Sequence, residues 1–361
     1  MITILFAYRN RDVNRIQRSL YSLRFQKNKN FKVIFVDYGS SPLIANEVAS
    51  LMNLFPFAQY YYLDTLLQPW NKSKALNYGI KKTDSDFCFI ADIDIIFHPE
   101  FIELLMLKRH YDSVTFFKVG FLSQEESLKS LSFEDYKIKF YSNEEATGMS
   151  LLPTKNLKEI QGFDEFFHFW GAEDTDLHNR LRNSGCTINY YGEKILLLHQ
   201  WHPNYRQRET KALNRELQIN EIVEINHRHL VNNLERNISK VNSNSWGEVI
   251  SKNDFDNLRD LPDKQIFNDV SVIDHFLFVE LFRLISKEKI SISISILEHP
   301  NCDLIKNKIK KRIGRKVPRY YSLKEINDKL LLHIISFYHH LPYIYEVSPD
   351  LKSIYFAIQN K

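Results

Sequence analysis

The stretch Phe89–Phe97, FIADIDIIF, places two aspartates, Asp92 and Asp94, two residues apart in a run of β-formers. Carboxylates are seldom buried without a partner, so this pair must meet either solvent or a cation. Where the backbone turns at a strand end, two such carboxylates can share a hard ion. Mg2+ and Mn2+ take oxygen ligands and accept phosphate and water in the remaining positions. The DxD pattern alone is a weak signal, because any exposed strand end can carry it. A second cluster lies in HFWGAEDTDLHNRL, His168–Leu181, where Trp170 is followed by Glu173, Asp174 and Asp176. A helix N-terminus favours one or two acids, but that does not account for an indole beside them. An indole next to carboxylates suits a sugar: the ring packs on the pyranose face and a carboxylate accepts a hydroxyl hydrogen bond. A third pair, His199 and His202, could place one or both imidazoles on a metal. Arg9 and Arg11 follow the first apolar run, where guanidinium groups can reach diphosphate oxygens. A basic turn at that place is also common on plain solvated surface.

These residues need elements to hold them. Ile2–Tyr8, Phe31–Gly39, 59–64 and 86–97 read as strands, and helical spacing intervenes, as in Val13, Ile16, Leu20 and Leu23. The β-α-β-α-β-α-β order predicts a parallel sheet covered on both faces. Ligands of such sheets bind at the carboxyl ends of the strands, where Asp37 and the Asp92/Asp94 pair fall. Further on, SVTFFKVGFL is apolar, and TGMSLLPTKNLKEIQGFDE reads as strand, turn and helix ending at Gly162. The helix of WGAEDTDLHNRLRNSG closes at Gly185, and KILLLHQWHP is a short strand running into His199 and His202.

Composition narrows the classes. The chain has 361 residues, 44% of them apolar, enough for a large core and two domains by length. Lys and Arg number 48 against 44 acidic residues, which does not indicate a nucleic-acid binder. Cys88, Cys186 and Cys302 are far apart and suggest no metal clip, and Cys88 reads as core packing in a reducing compartment. The N-terminus lacks the features of a signal peptide, and no apolar run reaches membrane-spanning length. The expected location is the cytoplasm. Only 10 glycines with abundant Lys, Asn and Ile point to an AT-rich bacterial genome. Beyond about Asn220 the motifs stop, which predicts domains at 1–220 and 221–361, the latter mainly helical with one alternating stretch, SISISIL. The run Lys306–Arg319 holds eight Lys or Arg: a solvated helix face, or a contact with an anionic surface such as the inner face of the plasma membrane.

Taken together, FAYRNR, VDYGSS, NKSKALNYGI, ADIDIIF, TGMSLLP, GFDEFFHFWGAEDTDLHNRL and LHQWHP resemble the GT-A glycosyltransferases, family 2-like. In particular they resemble the galactosyltransferase-type module shared by β-1,4-galactosyltransferases and bacterial chondroitin-polymerase-type enzymes. The segments occur in the family's order over roughly residues 1–205, and WGxED after GF(D/N) is the specific one. The resemblance implies a Rossmann-like, mostly parallel sheet flanked by helices and an inverting, Mn2+- or Mg2+-dependent transfer. The donor would be a nucleotide-diphosphate sugar, UDP-linked, carrying a hexose or N-acetylhexosamine. The acceptor would be a saccharide hydroxyl in bacterial surface polysaccharide synthesis. It implies Asp174 as catalytic base and Glu173 on a sugar hydroxyl. Arg9 and Arg11 would line the nucleotide pocket, Asp37 would meet the base, and Lys74 and Asn77 would border the donor. Asp92 would meet ribose or sugar, Gly148 would let the backbone approach the sugar, and Trp170 would stack on it. Asp94 would bind the metal with His202. His199 replaces a family Met, so either imidazole or both can serve. The family's GGED is GAED here, and its Gly-Gly is Thr147-Gly148. Two other readings are a non-catalytic sugar-binding module on the same fold and a nucleotidyltransferase. Intact Asp94, Asp174 and His202 argue against the first, and a first loop without glycine argues against the second.

Overall fold

The computed structural model describes residues 1–203, 210–285, 289–300 and 317–360. Strands β1 (Ile2–Tyr8), β2 (Phe31–Asp37), β3 (Ala58–Tyr62) and β4 (Phe87–Ala91) form where β-branched and aromatic residues run together. Helices α1 (Val13–Arg24), α2 (Pro42–Met52) and α3 (Lys72–Lys82) alternate with them. The side chains of Asp12 and Asn71 cap α1 and α3, and Pro42 opens α2. The chain continues through β5 (Ile95–Phe97), α4 (Phe101–Leu107), β6 (Ser113–Phe117), β7 (Gly120–Leu122), α5 (Gln124–Ser127) and β8 (Ile138–Tyr141). Then come β9 (Ser150–Pro153), α6 (Thr154–Glu159), α7 (Glu173–Asn183), β10 (Thr187–Tyr191) and β11 (Leu197–His199).

The main sheet has the order β10-β6-β9-β4-β1-β2-β3 and is parallel except for β9, which runs against both its neighbours. A second sheet has the order β5-β11-β7-β8. The single strand expected over 86–97 is therefore two strands in two sheets. Ile93 is buried in the core, and Ile95 N–H donates back to the Asp92 carbonyl, so the chain turns at Asp92–Asp94. Phe6, Phe35, Phe89, Phe97, Phe101 and Phe117 fill the core beside that turn. Each such ring contributes roughly 1.5–3 kcal/mol on burial. Cys88 belongs to this interior and lies 3.0 Å from Thr154 Oγ1.

The chain forms two units. The first is Met1–Leu66, Trp70–Gln207 and Val223–Glu248, and the second is Leu67–Pro69, Arg208–Ile222 and Val249–Lys361. The single division expected near residue 220 is thus a crossing, since the helix Ile222–Glu235 packs with the first unit. Its Asn226, His229 and Asn233 bond to residues 164–176.

The second unit joins helices to a four-stranded sheet of β12 (Lys264–Phe267), β13 (Ile290–Leu297), β14 (Tyr343–Val347) and β15 (Ser353–Asn360), in the order β12-β13-β15-β14. The alternating SISISIL stretch is an inner strand, with Ile294 and Ile296 buried. The helix Leu323–Phe337 begins at a capping box made by Ser322 and Glu325. Residues 67–69 lie along β14: Tyr345 N–H donates to Leu67 O at 2.8 Å, and Gln68 Nε2 to Tyr343 O at 2.9 Å. Among the described residues no helix is long and apolar enough to cross a membrane. Residues 306–316 of the basic run, and Cys302, lie outside the described residues.

Candidate active site

Pairing of β11 against β5 sets His199 opposite Ile95, and Gln200 N–H extends the ladder to the Asp94 carbonyl at 3.0 Å. The chain then turns and brings His202 to the same carboxylate. His199 Nε2 lies 3.3 Å from Asp94 Oδ1, and His202 Nε2 lies 3.0 Å from Asp94 Oδ2. The three ligand atoms are all within 4.8 Å of one another. Outer contacts orient both rings. Phe121 lies against His199 with centroids 4.8 Å apart, and Phe121 itself stacks on Phe140 at 4.6 Å. His202 Nδ1 is 2.9 Å from the Pro203 carbonyl; with the proton there, Nε2 is left as the ligand nitrogen. Asp94 is only 5% exposed, and among the described residues its Oδ1 accepts no hydrogen bond, His199 Nε2 being an ion-pair contact only. Burial pushes its carboxyl up, but His199, His202 and Arg11 outweigh that and hold it well below the usual carboxylate range. For His202 burial acts downward, the bond to Asp94 prevails, and the imidazole titrates above its ordinary value. A buried carboxylate that stays ionised with one imidazole nitrogen beside each of its oxygens has the donor chemistry of a divalent-cation site.

Asp92, two residues before Asp94, belongs to a different set of contacts. Its Oδ1 lies 3.3 Å from Lys72 Nζ. The same ammonium lies 3.1 Å from Glu173 Oε1 and 3.2 Å from Asp174 Oδ2. Glu173 and Asp174 open α7, and the loop before it is held in left-handed backbone at Phe169 (φ 64°), Gly171 (φ 100°) and Ala172 (φ 76°). Non-glycine residues enter that region only when the surroundings enforce it. The enforcing contacts are Phe169 N–H to Trp70 O at 2.9 Å, and Asn226 Nδ2 to the His168 and Trp170 carbonyls, both at 3.0 Å. Asn71 caps α3 by accepting from Lys74 N–H at 2.7 Å and donates to Glu165 O at 2.8 Å, so one side chain fixes both the helix start and the loop. Gly148 lies against the acid: a β-carbon there would stand 3.2 Å from Asp174 Oδ2. Burial pushes the Asp174 carboxyl up to about 7, against Lys72 and with Glu173 and Asp92. Burial opposes the charge on Lys72, but Asp174, Asp92 and Glu173 prevail and raise it well above the ordinary lysine value.

The remaining sequence-selected residues are placed differently. Arg11 stands near Asp94 and His202 and bears on the charge of both. Arg9 donates to Leu66 O at 2.7 Å. Asp37 is buried at the end of β2, where it accepts from Ser40 N–H at 2.8 Å and Tyr60 Oη at 2.9 Å, and burial raises its carboxyl. Lys74 is buried 3.9 Å from Glu165, and burial lowers its ammonium. Asn77 is buried with both ends of its amide on residues 163–165. Trp170 is 47% exposed. The structure thus gathers Asp94, His199 and His202 near Arg11, and Asp92, Gly148, Glu173 and Asp174 around Lys72. Lys74 and Asn77 fasten the loop from the other side of α3.

Sequence reasoning missed Lys72 and the helix Ile222–Glu235. Lys72 and Lys74 are two residues apart, about 200° around a helix, so choosing one excludes the other. The signal in the later helix is a polar stripe, Asn226, His229 and Asn233, at i, i+3 and i+7. Asn233 Nδ2 donates to Asp164 Oδ2 at 3.0 Å and Asp176 Oδ1 at 2.9 Å, and His229 Nε2 lies 2.8 Å from Asp164. Asp176 is in turn paired within α7 with buried Arg180 at 2.6 Å, and Arg180 Nη1 donates to Gly162 O at 2.8 Å, which ties α7 to the segment before the loop.

Residues 3–150 match the family model of glycosyl transferase family 2, and residues 129–201 match that of the N-terminal domain of galactosyltransferase. Beta-1,4-galactosyltransferase 5 of Sus scrofa and that of Homo sapiens are each 28% identical over 137 residues, which is 37% of this chain and 31% of the relative. The chain thus spans about a third of the length of these curated relatives. Among solved structures, S. aureus TarS 1–349 is similar with a TM-score of 0.46 and 13% identity, over 98% of this chain and 95% of that one. A mannosyltransferase from Pyrobaculum calidifontis, PcManGT, solved with GDP-Man and Mn2+, is similar with a TM-score of 0.41 and 14% identity, over 55% and 56%. Over residues 3–201 the chain is therefore similar to glycosyltransferases, to family 2 over its first part and to the galactosyltransferase type over its second.

Proposed function

We propose that this chain is an inverting, metal-dependent glycosyltransferase. It would move a hexose or N-acetylhexosamine from a UDP-linked donor to a saccharide hydroxyl, in the synthesis of a bacterial surface polysaccharide. One observation carries the reading. The Asp92-Ile93-Asp94 turn joins a one-carboxylate, two-imidazole cluster to a set of acids around Asp174.

The acceptor hydroxyl attacks the anomeric carbon opposite the leaving diphosphate, and its proton passes to Asp174. General-base help of this kind is worth about 10²–10⁴ in rate. A carboxyl near neutrality is well matched to that task, since it is largely ionised above pH 7 yet basic enough to take a proton. Glu173 and Asp92 accept sugar hydroxyl bonds, Gly148 leaves room beside Asp174, and half-exposed Trp170 offers a stacking face. Arg11, beside Asp94 and His202, faces the diphosphate oxygens. A divalent cation held by Asp94, His199 and His202 would offset the negative charge of the leaving group. Two imidazoles with one carboxylate favour Mn2+ over Mg2+, which prefers oxygen donors throughout.

The test is release of nucleoside diphosphate from a panel of sugar nucleotides, with Mn2+, Mg2+ or EDTA, by the parent chain and Asp94→Ala. Turnover of one donor, lost with EDTA and with the substitution, is expected. Tight metal-dependent binding without turnover, even with saccharide acceptors present, would instead indicate a binding module on this fold. Neither binding nor turnover would remove the proposal.

A further inference from the structure

We propose that Lys72 is a positioning residue for the base: its ammonium holds Asp174 ionised and aimed, and a neutral side chain there leaves Asp174 protonated at neutral pH. The inference rests on Asp174 being the base. Lys72 occupies the first position of α3, and the Asn71 cap that starts the helix also ties it to the 165 loop. Its place is therefore set by the backbone of two segments. A surface ion pair holds two partners. Here one ammonium reaches three acids from two separate parts of the chain, Asp92 at 3.3 Å, Glu173 at 3.1 Å and Asp174 at 3.2 Å. Its side chain is 19% exposed, so water cannot readily take its place.

The groups that face Asp174 are few. Lys72 faces it from α3, Glu173 from its own helix, and Asp92 from the β4–β5 turn. Gly148 covers another side with no charge, and the Thr147 and Thr175 hydroxyls meet each other at 3.2 Å nearby. His178, one turn further along α7, is turned to Ser150 at 2.8 Å. Among the described residues that bear on Asp174, Lys72 is thus the cation opposing the two carboxylates Glu173 and Asp92. Remove it and three acids crowd together, an arrangement in which like charges force one to hold a proton. Asp174, already raised by burial, is the acid that takes it.

The test compares the parent with Lys72→Met, Lys72→Gln and Lys72→Arg, using the full chain, saturating Mn2+ and the donor found in the panel. kcat/KM is followed from about pH 5.5 to 9.5. The acid limb of Met and Gln is expected to move up by about one pH unit or more. Activity at pH 7 then falls about fivefold or more and returns by pH 9, while Arg keeps the limb near the parent's. Equal loss at every pH with the limb unmoved would overturn the proposal. A second readout needs no turnover: the carboxyl 13C resonance of Asp174, assigned by its loss in Asp174→Asn, is titrated in parent and variants. Its midpoint is expected to rise in Met and Gln, and an unmoved midpoint overturns the role of Lys72. A raised midpoint in a protein that turns over no donor would instead sink the sugar-transfer reading and with it the base role, leaving only the charge coupling of Lys72 to Asp174.

Discussion

Replacing Asp174 by Asn should sharply lower turnover and at the same time make the protein more stable above neutrality. The reasoning is linkage. The carboxyl titrates at about 7 in the fold against an ordinary 3.8, chiefly because it is buried. The native state therefore binds this proton more tightly than the unfolded chain does, and stability falls as pH rises between those two values. The interval is roughly three pH units, each worth about 1.4 kcal/mol, so the ionised carboxylate costs the fold up to about 4 kcal/mol at pH 8. Asn carries no such cost. It does remove one of three partners from Lys72, which keeps Asp92 and Glu173, so a net gain of about 3 kcal/mol is expected. For a unit of this size that is about 6–12 °C in Tm. Thermal melts of parent and variant at pH 4, 5, 6, 7 and 8 provide the assay, beside donor turnover with acceptor. The gap in Tm should be near zero at pH 4, widen to just above pH 7 and stay flat beyond. Turnover should fall by about 10²–10⁴. A gap independent of pH, or a variant less stable than the parent at pH 8, would refute the burial argument whatever happens to activity.

Three further outcomes are expected. Asp94→Asn, His199→Ala and His202→Ala should each weaken Mn2+ binding at least about 100-fold by calorimetric titration, beyond the 10–100-fold typical of an outer-shell loss. Unchanged affinity in either His variant would take that imidazole out of the site. Gly148→Ala should leave the melting curve near the parent's but lower kcat about tenfold, because a methyl 3.2 Å from Asp174 Oδ2 displaces the carboxylate; a parental kcat would show that the contact is slack. Asn233→Leu removes the donor shared by Asp164 and Asp176 and should cost about 1–3 kcal/mol. If chemical denaturation shows no loss, the helix Ile222–Glu235 does not brace α7.

What could be read from the sequence was what is local and periodic. β1 to β4 and α1 to α3 announce themselves through alternating runs and helical spacing, and their order implies the parallel sheet. The DxD acids, the WGAED loop and the two histidines were visible because unusual residue types stand together. The split of 86–97 into β4 and β5 was hidden, because Ile93 and Ile95 continue the apolar pattern through the turn. Lys72 was hidden because an ordinary lysine at a helix start looks like solvated surface, and its importance lies in acids a hundred residues away. Asn226, His229 and Asn233 were hidden for the same reason, beyond the last recognisable motif. The sheet of the second unit did leave a trace: YIYEV and SIYFAIQN flank SPDLK, a turn between two apolar and aromatic runs.

The turn at Asp92–Asp94 explains why two identical side chains, two residues apart, do different work. β4 belongs to the main sheet and β5 to the second, so the chain changes direction between them and the two carboxylates enter different surroundings. Asp94 is buried against two imidazoles and held ionised, the condition of a cation ligand. Asp92 stays partly exposed and shares an ammonium with the acids of α7. Had β4 run straight through to Phe97, both carboxylates would share one face at a spacing of about 7 Å, and one environment would serve both. The break supplies two environments joined by a single buried residue, Ile93. In the proposed reaction charge develops at two places, on the departing diphosphate and on the attacking hydroxyl. Ile93 ties Asp94, on the diphosphate side, to Asp92, whose shared ammonium on Lys72 reaches Asp174 on the hydroxyl side, and that chain of contacts keeps those places in register.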